Sequence, residues 1–146
     1  MAADAFDLSA GQVLIVRSDT PATVKGLSDM AGKTVGSQIG TTGALAVEKA
    51  KGVKGKTYDE AGLAVEDLTK GRLDGVVVDN STAINYVLQN PGYKGQLKIV
   101  GQPFTDESYG VAVKKGNKAV LDLINAGLRK ALATDKKKEF ENKWLK

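Results

Sequence analysis

The chain has 146 residues, 42% of them hydrophobic and 26% charged, with no cysteine and no histidine. One domain of this size buries roughly 68–70% of the surface its unfolded chain exposes. A single compact domain is therefore expected, and disulfides, Cys/His zinc sites and triads that use imidazole as base are excluded. The formal charge of +4 is uneven, since residues 114–146 carry ten Lys/Arg and four Asp/Glu. These lysines alternate with an apolar helical period and lack an aromatic stripe for base stacking, so they read as solvated helix faces, and no nucleic-acid partner is expected.

In chain order, β-branched runs alternate with helical patterns, the signature of βαβ units and a mostly parallel sheet. Gln12–Arg17 predicts the first strand, followed by breakers at Ser18–Pro21 and a short helical piece over Val24–Met30. Lys33–Gln38 predicts a strand, Gly40–Gly43 a turn, and Ala44–Lys51 a helix with Leu45 and Val47 on one face. A weaker strand at Gly55–Tyr58 precedes a helix over Glu60–Lys70 that stops at Gly71, a C-cap candidate. The apolar run Gly75–Val78 reads as a strand buried on both faces. Asp79 closes it, and Asn80 and Ser81 lead into a helix over Thr82–Gln89 that ends at Asn90–Gly92. Strands are expected at Leu97–Val100 and Tyr109–Val113. Helices follow at Lys118–Ala133, with Val120, Ile124, Leu128 and Ala131 as its stripe, and at Lys136–Leu145, with Phe140 and Trp144 on one face. The expected fold is α/β, three-layer αβα.

Ligands of open parallel sheets bind beyond the carboxyl ends of the strands, where helix N-termini gather. Two features fall there. The turn Gly40–Gly43 offers backbone N–H groups, a helix dipole and the Thr41 and Thr42 hydroxyls, which suits a carboxylate or phosphate. A plain N-cap on a tight turn explains the same spacing. No GK[ST] directly follows the turn and no GxGxxG is present, so a nucleotide loop is excluded. The second feature is Asp79, an acid at the end of an apolar strand. It reads either as the N-cap of the next helix or, with Asn80 and Ser81 filling that role, as the partner of a cation. An anion cradle beside a carboxylate suits a zwitterion such as an α-amino acid.

The runs Leu27–Gly43, Leu68–Asn80 and Val100–Gly116, in that order, closely resemble the polar-amino-acid solute-binding proteins of bacterial ABC importers, and Leu121–Leu145 resembles the two helices with which those proteins end. The resemblance implies a lobe of the periplasmic-binding-protein type II fold, a periplasmic or extracellular location, an amino acid as ligand, an ABC permease as partner, and no cofactor or metal. It implies that Thr42 binds the ligand's α-carboxylate with Thr41 supporting the turn, that Asp79 accepts from the α-ammonium, and that Gln38 faces the ligand's side chain. Val78 stands where some members carry a polar contact. The resemblance makes residues 1–17 an amino-terminal segment with the first hinge strand, 18–101 a complete lobe, and 102–146 the second hinge strand with the terminal helices. The amino-terminal part of the first lobe, with its share of ligand contacts, has no counterpart, and residues 1–6 show no secretory signal pattern.

Half a cleft supplies about 4 kcal/mol, from charge-assisted hydrogen bonds of roughly 1.5–3 kcal/mol and a helix-terminus contribution of up to about 2. That corresponds to a Kd near 1 mM, so weak or no binding is expected. The terminal segment, deprived of the first lobe, is expected to form a homo-oligomer or to pack anew. Two other functions stay open: a dehydratase on the same fold, for which Asp79 is the only acid in the cleft, and a ligand-free structural fragment.

Overall fold

A computed structural model describes residues 6–144. The chain divides into two compact units, residues 11–105 and residues 1–10 with 106–146.

The first of these is a five-stranded sheet between two helical layers. It contains β2 (Gln12–Arg17), β3 (Thr34–Gln38), β4 (Lys54–Tyr58), β5 (Gly75–Asp79) and β6 (Leu97–Val100), in the order β4-β3-β5-β2-β6. β3 pairs parallel with β4 and β5, while β2 runs antiparallel to both β5 and β6. Four strands thus share one direction, and the sheet is mixed but mostly parallel. Residues of β2 alternate between the two faces. Val13 and Ile15 join Val76 and Val78 beneath α2 (Ala61–Thr69) and α3 (Asn80–Ile84), whereas Leu14 and Val16 join Val35 and Val77 beneath α1 (Thr42–Lys49) and a 3-10 turn at Leu27–Met30. Both faces are dry, which explains why β2 and β5 read as continuous apolar runs.

The strand Gln12–Arg17, expected as a hinge outside the lobe, lies inside its sheet between β5 and β6. An apolar run buried on both faces needs a helix layer on each side, which this sheet supplies, and β2 pairs along both edges, with β5 and β6. Arg17 closes β2 by donating from its guanidinium to the Leu73 carbonyl at 2.7 Å, near the carboxyl end of α2, where a cation is favoured. On the exposed side of β4 and α2, the Tyr58 hydroxyl donates to Asp67 at 2.8 Å, and Arg72 and Lys56 also contact that carboxylate. The Tyr58 hydrogen bond foremost, then Arg72 and Lys56, hold the Asp67 carboxyl down at about 2, from an ordinary 3.8.

Several boundaries differ from expectation. α1 begins at Thr42 because the Thr41 side chain caps it. The helix expected over Thr82–Gln89 starts at Asn80 and passes into a π-helical turn at Asn85–Gln89.

The second unit contains β1 (Phe6–Ala10), a strand not among those expected above, paired antiparallel with β7 (Glu107–Tyr109). The strand expected at Tyr109–Val113 is therefore shorter and earlier. Ala10 faces Glu107 and Phe6 faces Tyr109 across this ladder. α4 (Lys118–Leu132) and α5 (Lys136–Trp144) follow. α4 is amphipathic yet holds no buried residue, and Leu123 is 73% exposed. Leu145 and the Trp144 side chain, expected to continue the last helix and its apolar face, lie outside the described residues.

Candidate functional site

The carboxyl ends of β3 and β5 meet the amino ends of α1 and α3 on one side of the sheet. The turn from β3 into α1 needs a left-handed residue, which Gly40 supplies at φ 75°. Thr41 then serves as N-cap. Its hydroxyl donates to the Gln38 carbonyl at 2.7 Å and accepts from the Ala44 N–H at 3.1 Å. This satisfies the third N–H of the helix, and the Thr42 and Gly43 N–H groups of the first turn have no carbonyl available from within the helix.

Asp79 occupies the N-cap position of α3, but its side chain makes no capping hydrogen bond. Its Oδ1 instead accepts from Gln12 Nε2 at 2.9 Å. Of the two readings of Asp79 open in the sequence, helix capping is therefore not the one the side chain adopts. Gln38, at the end of β3, is half-buried and donates from its amide to the Asp59 carbonyl at 3.0 Å.

Gln38, Thr41 and Asp79 line one notch, together with Val77, Val78 and Gln12. Its volume is only about 30 Å³, room for about two water molecules. Pockets that enclose a small ligand run to roughly 300–1,000 Å³. The notch by itself is too small to enclose a ligand. Thr42 does not line it and is exposed at the first position of α1. Val78 presents an aliphatic side chain there.

Gln12 is the residue sequence reasoning missed. It is 2% exposed and sits directly opposite Asp79 in the β2–β5 register. Its signal was a lone amide opening an otherwise apolar strand. A buried amide must find partners, and that requirement points to a polar neighbour on the adjoining strand.

A larger groove of about 590 Å³ lies between α1 and β4, lined by Ile39, Leu45, Val47 and Val53 among others. Of the candidate residues only Thr41 reaches it, and Glu48 is its one ionisable side chain. Its walls are too apolar to orient a zwitterion. Among the described residues no group of three or more His, Cys, Asp or Glu is placed to hold a metal ion, and no helix is long and apolar enough to cross a membrane.

No protein-family model matches the chain. Curated proteins do. The chain is 28% identical over 137 residues to the L-cystine-binding protein TcyJ of Escherichia coli (strain K12), covering 93% of this chain and 50% of that protein. It is 32% identical over 139 residues to the ABC transporter glutamine-binding protein GlnH of Bacillus subtilis (strain 168), covering 94% and 49%. Among solved structures, an ancestral arginine-binding protein bound to glutamine superposes with a TM-score of 0.79 at 40% identity, covering 98% of this chain and 62% of that one. The chain is homologous to the amino-acid solute-binding proteins of ABC transporters. It spans about half the length of the curated relatives it matches. Its α/β sheet is of the periplasmic-binding-protein type II fold seen in those solute-binding proteins. The relatives named above are binding proteins, and their names cover three different amino acids.

Proposed function

We propose that this chain is the amino-acid-binding lobe of an ABC importer's solute receptor. The ligand's α-carboxylate rests on the first turn of α1, at the Thr42 N–H and hydroxyl with Thr41 holding the turn, and its α-ammonium donates to Asp79. Gln38 faces the ligand's side chain. The observation that carries this reading is the single notch shared by Asp79 and the capped end of α1, with the Asp79 carboxylate turned away from capping. An anion-binding helix terminus beside a carboxylate recognises both ends of a zwitterion and neither end of a neutral solute.

The notch's one ionisable side chain is Asp79. Acid–base catalysis on a bound amino acid needs a group free to move a proton while another holds the ammonium, which favours a receptor over a dehydratase. The residues 18–101 expected as the lobe extend in this reading to include β2, with β1 and β7 as the pair of hinge strands. An ABC permease is the partner, in a periplasmic or extracellular setting, and the exposed stripe of α4 joins copies of the chain.

One charge-assisted contact, at Asp79, and a helix terminus for the carboxylate together supply about 4 kcal/mol, so the chain alone binds at about 1 mM or weaker. Calorimetry with cystine, glutamine, arginine, glutamate and histidine tests this. Weak binding of several amino acids fits the proposal. A micromolar Kd for one of them contradicts it, since one wall of a site cannot provide that affinity.

A further inference from the structure

We infer that Gln12 is the positioning residue of this site: its buried amide holds the Asp79 carboxylate in one rotamer and ties it to the first turn of α1. The inference rests on the zwitterion reading for its consequence on ligands, but not for the tether itself.

Three observations converge. Gln12 Nε2 donates to Asp79 Oδ1 at 2.9 Å. The other end of the amide points at α1, because a β-carbon on Gly43 would lie 2.6 Å from Gln12 Oε1. The backbone of Gln12 is itself fixed, its N–H donating to Thr105 Oγ1 at 2.7 Å and its carbonyl accepting from the Phe104 N–H at 3.0 Å. Chemistry sets the orientation of the amide. A carboxylate only accepts, so the NH₂ must face Asp79, and the carbonyl oxygen then faces the helix terminus, whose N–H groups only donate.

The choice of an amide has a functional meaning. A lysine or arginine at this position would also hold Asp79, but would neutralise it and compete with a ligand's ammonium. An amide orients the carboxylate and leaves its charge. Because one side chain bonds Asp79 on β5 and lies against the Gly43 position of α1, it also bears on the spacing between the ammonium and carboxylate contacts, a distance that is constant among α-amino acids. Gln12 therefore acts on the backbone end common to these ligands and has no part in choosing among their side chains.

The test is the full chain carrying Gln12→Met, which keeps an unbranched side chain of similar length without the amide. The three-bond couplings between Hα and Hβ of Asp79 report its χ1 rotamer. The wild type is expected to show one rotamer, and Gln12→Met an average over several. Should Gln12→Met fail to fold, Gln12→Asn replaces it, a methylene too short to reach Asp79. Asp79 couplings identical to wild type in the variant overturn the inference whatever the chain binds.

A second readout follows the ligand by NMR, comparing glutamine with its analogue lacking the α-amine. The wild-type preference for the amine is expected to fall about three- to tenfold in the variant, the loss of one preorganised side chain, with binding of the amine-free acid little changed. A purely structural role would weaken both ligands alike and leave that ratio intact, and such a result overturns the positioning role. Absence of binding by the wild type overturns the zwitterion reading, while the couplings still decide whether Gln12 holds Asp79.

Discussion

Replacing Gly43 with alanine tests the packing on which the site depends. At this helical position the ordinary expectation is stabilisation, since glycine in a helix interior costs about 0.5–1 kcal/mol relative to alanine. The structure predicts the reverse. The new β-carbon would sit 2.6 Å from Gln12 Oε1 and 3.2 Å from both the side chain and the carbonyl oxygen of Val77. Val77 belongs to a central strand and is buried, so the strain falls on Gln12 and on the seat of α1. Overpacking of this kind costs about 1–3 kcal/mol, which offsets or exceeds the propensity gain and leaves a net loss of up to about 2.5 kcal/mol. Urea denaturation followed by far-ultraviolet circular dichroism measures it. Gly127, in α4, is the contrast, because a β-carbon there meets nothing within 4 Å, and alanine at that position is expected to raise helix stability by about 0.5–1 kcal/mol. In a double-mutant cycle, Gly43→Ala should cost about 1 kcal/mol less when Gln12 is already alanine, as contacting residues couple. Stabilisation by Gly43→Ala, or strict additivity with Gln12→Ala, refutes the reasoning.

Other expectations follow from single contacts. Asp79→Asn keeps the shape of the notch but removes its charge, and should weaken amino-acid binding about tenfold or more in calorimetry, the value of a hydrogen bond to a charged group. The depressed carboxyl of Asp67 contributes stability that is complete above its ordinary 3.8 and is lost as the pH falls toward about 2. Asp67→Asn should accordingly flatten the dependence of the denaturation midpoint on pH between those values and leave a constant offset above them. Arg17→Met retains the aliphatic stem but removes the donor to the Leu73 carbonyl, and should lower stability by about 1–2 kcal/mol in the same urea assay.

What the sequence made legible divides along physical lines. β5 was readable because Val76, Val77 and Val78 are all buried, and a strand covered on both faces can only be an apolar run. The turn before α1 was readable because Gly40 and Thr41 each serve a local need, a positive φ and a cap. β2 was readable as a strand but not as an interior one. Its apolar run records burial on both faces and carries no mark of which strands lie beside it, and the partners come from residues 75–79 and 97–100. β1 carries the apolar–polar alternation of a half-buried strand in Phe6–Ala10, a five-residue signal that the sequence reading passed over, and β7 is only three residues long and shares just Tyr109 with the strand expected there. The π-helical turn after α3 had no local signal either.

The same division holds at the site. Gln38, Thr41 and Asp79 were found because strand ends and helix starts are visible locally, and the structure gathers these three into one notch. Thr42 adjoins the notch without lining it. Gln12 escaped because its meaning is a contact with a residue 67 positions away, and nothing within its own strand announces that contact. A rule that every buried amide needs a partner would have marked it for attention, but only the antiparallel register names Asp79 as that partner.

The most direct test of the account is a titration of the isotope-labelled chain with α-amino acids, followed through its backbone amide resonances. Saturable shifts are expected at Thr42, Gly43 and Asp79 with a Kd of about 1 mM or weaker, weakened when the ligand lacks either its carboxylate or its amine. Shifts confined to the groove between α1 and β4, or no shifts at the α1 terminus in the presence of any α-amino acid, would contradict it.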